Sequence, residues 1–94
     1  MKSDTGCCTY LLRCVDGTLY CGWTNNMEKR LAAHNAGTGS RYTASRRPVA
    51  LAYLEPCETR QEAMRREAAI KRMTRREKLE MIAHAVPEKK EESR

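Results

Sequence analysis

Tyr10, Tyr20, Arg30, His34 and Glu67 are the side chains of this chain that could work on one reaction. Two phenols and an imidazole can move a proton, a guanidinium can clamp an oxyanion, and a carboxylate can hold a cation. In a chain of formal charge +6 such a set points to hydrolysis of a nucleic-acid phosphodiester rather than to plain binding. Arg30 and His34 lie one helical turn apart, and the fixed fork of an arginine suits the equatorial oxygens of a phosphoryl transition state. Each group also has a plainer reading. Arg30 could snorkel at a rim, His34 could be satisfied by helix-end backbone, and either tyrosine could be an ordinary strand aromatic. Glu67 shares a helical stripe with Ala63, Met64 and Ile70 that should be buried. There it needs a cation or an ion pair with Arg30 or His34.

Local signals place these groups on elements. Residues 8–14 and 18–23 read as strands joined around Asp16-Gly17. Asn25, with Glu28 three residues on, opens a helix that runs to about Ala36 and stops at Gly37. Gly37 to Pro48 reads as a loop, and Val49 to Leu54 alternates as a third strand. Thr59 caps a helix to Arg72, and Thr74 starts another that ends near Ala83. The hairpin has apolar groups on both faces, Leu12 and Cys14 on one and Leu11, Cys21 and Trp23 on the other. It therefore needs helices on both sides. The expected fold is a small single-domain α/β sandwich over residues 8–83, a three-stranded, mostly antiparallel sheet flanked by three helices. Residues 1–7 are expected to be disordered and residues 84–94 to form a charged C-terminal tail, disordered from Pro87 through the mixed-charge run to Arg94.

Composition narrows the classes. With 94 residues the chain forms one domain with a modest core, without Phe and with a single Trp. Five cysteines without a C-x-x-C pair, and two histidines at unsuitable spacing, argue against a zinc site or a disulfide framework. They read as small buried hydrophobes in a reducing compartment. No stretch has the length of a membrane span, so a cytoplasmic or nucleoid-associated protein is expected.

In this setting the sequence resembles the GIY-YIG nucleases, and among them the small stand-alone YhbQ-like proteins. The two name motifs stand as Cys8-Thr9-Tyr10 and Tyr20-Cys21-Gly22. The text from Trp23 to Leu31, then His34, is similar to the family's helix. Gly39 to Thr43 before Arg47-Pro48, and Glu62 through Glu67 to Lys71, are similar to its small members. Thr9 and Cys21 replace the central isoleucines, and no Asn follows Glu67 as it does in several family nucleases. The resemblance implies a metal-dependent DNA endonuclease with one Mg²⁺ or Mn²⁺ on Glu67. Arg30 would clamp the phosphate, Tyr10 would help activate water, Tyr20 would orient it and His34 would assist proton transfer.

The hairpin loop provides a geometric check. A two-residue turn would put Tyr10 and Tyr20 on opposite faces, because a one-residue slip flips every side chain. A three-residue loop of Val15, Asp16 and Gly17 pairs Leu12 with Tyr20 and Tyr10 with Gly22, and both phenols then share a face. The catalytic reading predicts that loop, with Gly17 left-handed. Gly22 is expected where a side chain would crowd the cleft, with a bulge as the simpler reading of a strand glycine. Substrate contacts are expected from the loop residues Arg41, Tyr42, Arg46 and Arg47, and from Lys71. Residues 60–78 add eight Arg or Lys against three Glu. The expected partner is DNA, with RNA as an alternative, bound by structure more than by sequence in repair or processing. A second class stays open: a non-catalytic or weakly active nucleic-acid-binding accessory protein of a larger repair complex.

Overall fold

The computed structural model describes residues 6–85. Along the chain run β1 (Cys8–Arg13), β2 (Leu19–Thr24), α1 (Met27–Ala36), α2 (Arg41–Ala44), β3 (Ala50–Pro56), α3 (Arg60–Lys71) and α4 (Arg75–Ala85). The sheet has the order β2-β1-β3 and is antiparallel throughout. The central strand β1 is buried along all but its last residue.

The three-residue hairpin loop is present. Leu12 pairs with Tyr20 and Tyr10 with Gly22. Gly17 has φ 88° and donates to the Cys14 carbonyl at 2.9 Å, while the Cys14 amide donates to Thr18. Asp16 stiffens the turn by accepting from the Thr18 amide and hydroxyl at 3.1 and 2.7 Å. This register puts both phenols on one face of the sheet.

The two faces carry separate cores. Tyr10, Leu12, Cys14 and Val49 pack with Tyr20, Met27 and Leu31 beneath α1. Leu11, Cys21, Ile70 and Ile82 pack with Leu19, Tyr53, Met73 and Leu79 beneath α3 and α4. The two departures from the motif name both face α3. The Thr9 hydroxyl donates to the Ala63 carbonyl at 2.9 Å, and Cys21 Sγ lies 3.9 Å from the Glu67 carbonyl. Each thus replaces a purely apolar contact with a polar tie to the backbone of the glutamate's helix. Arg66 fixes the same helix to β3 through a two-pronged pair with Glu55 at 2.5 and 3.0 Å.

Several details differ from the sequence expectation. The Gly37–Pro48 segment is not all loop: Ser40 caps the short helix α2, its hydroxyl accepting from the Thr43 amide. There are therefore four helices among the described residues, not three. The cap of α1 is Asn26 rather than Asn25, because its side chain reaches the Lys29 amide at 3.1 Å. β3 extends to Pro56 and is offset by a bulge between Leu11 and Leu12. Met64 is 48 % exposed, so the buried stripe of α3 narrows to Ala63 and Ile70. Cys7 is buried and its carbonyl accepts from the Cys57 amide, while α4 continues to Ala85. The rest of the expected N-terminal and C-terminal tails lies outside the described residues. The five cysteines are all buried and free, and no helix among the described residues is long and apolar enough to cross a membrane.

Candidate active site

His34 sits at the centre of the site and is completely buried on α1. Its Nε2 is 3.0 Å from the Tyr10 hydroxyl and its Nδ1 is 2.8 Å from Thr43 Oγ1. Thr43 Oγ1 lies in turn 3.0 Å from Ser40 Oγ and within reach of the Ser40 carbonyl. A continuous hydrogen-bonded chain therefore runs Tyr10–His34–Thr43–Ser40 from the central strand to α2. Burial, then the nearby Arg30 charge, hold the imidazole below its ordinary pKa. Burial pushes the Tyr10 phenol up. Arg30 opposes that push, and the charges of Tyr20 and Glu67 add to it.

Two glycines make room for this pair. A Cβ on Gly22 would lie 2.5 Å from the Tyr10 hydroxyl, so the phenol lies across the edge strand where that side chain is missing. A Cβ on Gly39 would lie 2.3 Å from His34 Nδ1. Gly22 thus meets the expectation of a crowded position, and the group it would crowd is Tyr10.

Tyr20 meets His34 edge-on, with ring centroids 5.2 Å apart, and stacks on Tyr42 at 5.9 Å and 23°. The Arg46 guanidinium lies over the Tyr42 ring at 3.9 Å and pairs with Asp16 at 3.1 Å. Arg30, half-buried, donates from Nη2 to the Gly39 carbonyl at 2.9 Å and so ties α1 to the turn before α2. Tyr10, Tyr20, Arg30 and His34 therefore form one cluster.

Glu67 approaches from the other side of the sheet. Its helix packs on β2 and β1. The partner of Glu67 is Lys71, at 3.3 Å and one turn along α3, rather than Arg30 or His34. Among the described residues no three His, Cys, Asp or Glu come together as metal ligands. That donor set is too sparse for an all-protein cage. It suits a hard divalent ion that takes one carboxylate and completes its shell with water and phosphate.

The loop residues take different places. Arg41 is exposed at the start of α2. Arg46 is engaged by Asp16, Tyr42 and the Tyr42 carbonyl. Arg47 donates to the Ala44 carbonyl at 2.8 Å and reaches that of Asn35. Arg46 and Arg47 thus direct donors to protein groups at the surface. Sequence reasoning passed over Ser40, Thr43 and Gly39 as parts of the site. The Ser-x-x-Thr spacing was the available signal, since a capping serine fixes the threonine three residues on.

Comparison with known proteins identifies the family and the fold. Residues 6–80 match the model of the GIY-YIG catalytic domain, and the chain belongs to the GIY-YIG family. It is similar to the UPF0213 protein CPE1444 of Clostridium perfringens, with 53 % identity over 79 % of this chain and 80 % of that one. A UPF0213 protein of Syntrophus aciditrophicus is 54 % identical over 78 % of this chain and 85 % of its own. Among solved structures, the protein EF2693 of E. faecalis superposes with a TM-score of 0.60 at 43 % identity, covering 89 % and 90 % of the two chains. The UPF0213 protein BH0048 of Bacillus halodurans gives 0.54 at 34 % identity, covering 82 % of each.

Proposed function

We propose that this domain is a metal-dependent endonuclease that hydrolyses DNA phosphodiester bonds with selectivity for DNA structure. The family places it among nuclease-type domains. The observation that carries the finer reading is the Tyr10–His34–Thr43 chain beside Arg30 and Tyr20.

Phosphodiester hydrolysis requires a water to lose its proton while charge builds on the phosphate. Tyr10 is ill suited to be a free phenolate, because burial raises its pKa. A relay avoids that state. With Thr43 donating toward Ser40 and accepting from His34 Nδ1–H, the imidazole presents a bare Nε2 to the Tyr10 hydroxyl. The phenol oxygen can then accept a proton from water as its own proton passes to His34. Tyr20, braced between His34 and Tyr42, orients that water. Arg30 supplies donors to the phosphate oxygens, where preorganised charge is worth most. Glu67 would hold a Mg²⁺ or Mn²⁺ ion, which would supply positive charge against the charge that builds on the phosphate.

The test is incubation of purified protein with labelled single-stranded, duplex, flap and four-way-junction DNA in Mg²⁺, Mn²⁺ or EDTA, beside Glu67→Ala. The expected outcome is nicking that needs the metal and Glu67, with DNA binding largely kept in the variant. Undiminished cleavage by Glu67→Ala would place the active centre elsewhere. Binding without cleavage on every substrate would replace the enzyme with an accessory nucleic-acid-binding protein.

A further inference from the structure

Next to the Tyr10–His34 site, and sharing Tyr20 with it, lies a cleft of about 260 Å³ lined by Leu19, Tyr20, Cys21, Tyr42, Lys71 and Lys78. Its lining is mostly apolar, three of its residues come from the edge strand β2, and Lys71 and Lys78 are its cationic members. Lys78, from the first turn of α4, forms no ion pair among the described residues. Lys71 shares its ammonium with Glu67 at 3.3 Å, which leaves it further donors. Tyr42 stacks on Tyr20, lies against the Arg46 guanidinium and joins Tyr20 in the lining of the cleft. An apolar lining that also includes two lysines suits a sugar and base with their phosphate. The cleft is too small for a double helix to enter.

We propose that this cleft is a subsite for one unpaired nucleotide flanking the phosphate to be cut. Lys71 and Lys78 hold its phosphate, and Leu19, Tyr20 and the rim of Tyr42 receive its sugar and base. The proposal rests on the nuclease reading and adds to it the substrate class: a strand that is unpaired beside the cleavage point. Lys78 is its critical residue, since it forms no ion pair among the described residues.

The experiment measures binding, not cutting. Fluorescence anisotropy would follow a short labelled oligothymidylate and a blunt duplex in EDTA, over a series of salt concentrations. The proteins are the parent, Lys78→Ala, Lys78→Arg and Arg76→Ala. Arg76 is the charge-matched control, paired with Glu80 and 86 % exposed. The expected result is a several-fold loss of oligothymidylate affinity in Lys78→Ala. The slope of log affinity against log salt should flatten by about 0.7, the contribution of one single-strand phosphate contact. The duplex should lose less, and Lys78→Arg should bind like the parent. Lys78→Ala behaving like Arg76→Ala, an equal loss on the duplex, or no measurable binding by the parent would each overturn the subsite. Because no cleavage is read, a selective loss in a protein that never cuts DNA would keep the subsite and remove the nuclease reading. A working nuclease indifferent to Lys78 would do the reverse.

Discussion

Gly22→Ala is the substitution that tests the geometry most directly. The added Cβ would sit 2.5 Å from the Tyr10 hydroxyl oxygen, 2.7 Å from Cζ and 3.2 Å from Cε1. Two of these are closer than carbon and oxygen approach without bonding, so something must move. Tyr10 is 1 % exposed and its hydroxyl is held by His34. His34 cannot retreat, because Gly39 already lies close behind Nδ1. Overpacking a site with no slack costs about 1–3 kcal/mol. In a domain of this size each kcal/mol moves Tm by roughly 4–8 °C. Thermal or urea unfolding should therefore show a clear loss, while a marginal reserve of about 5–15 kcal/mol keeps the protein folded at room temperature. DNA cleavage should fall more than the folded fraction does, because the phenol is displaced from His34. Tyr10→Phe removes the atom at 2.5 Å but leaves Cζ, so it should relieve the clash in part. The double variant should then be less destabilised than the sum of the two, by about 0.5–3 kcal/mol. Unchanged stability in Gly22→Ala, or strict additivity in the cycle, would refute the packing argument.

Two further predictions concern the imidazole. Thr43→Val removes the acceptor for His34 Nδ1 while keeping the shape, and an unpaired buried donor costs about 1–3 kcal/mol. Thr43→Ser should restore both stability in urea and cleavage, whereas a Val variant as active as the parent would exclude the relay. The pKa of His34 is depressed on folding. As pH falls below the unfolded value near 6.5, the unfolded chain takes up a proton that the folded one refuses. Stability should thus decline as pH falls from about 6.5 toward the folded pKa, and urea midpoints of His34→Gln should be flatter over that window. A parent profile with the same slope as the variant would contradict it.

The groups able to do chemistry, and much of the scaffold beneath them, were legible in the chain itself. The Val15-Asp16-Gly17 loop set the hairpin register, because a left-handed glycine and an aspartate turn act over a few residues. That register alone put Tyr10 and Tyr20 on one face. The Thr59 cap and the Gly37 stop bounded their helices for the same local reason. Apolar groups on both sides of the hairpin required helices on both sides. The cap of α1 slipped by one residue, from Asn25 to Asn26, since adjacent asparagines give the same local signal and the chain's path chooses between them. Tertiary structure decided which partner each group meets. His34 could have bonded to backbone, yet α2 brings it Thr43 and the sheet brings it Tyr10. Glu67 could have paired with Arg30 or His34, but its helix packs on the opposite face and leaves it to Lys71. Arg46 and Arg47 read as open donors, and folding turned them toward Asp16, Tyr42 and the Ala44 carbonyl. Caps, turns and alternation are energies of neighbouring residues and so are written in neighbouring letters. The partner of a buried polar group is whichever atom the packed elements bring within hydrogen-bond reach, and that choice belongs to the whole fold.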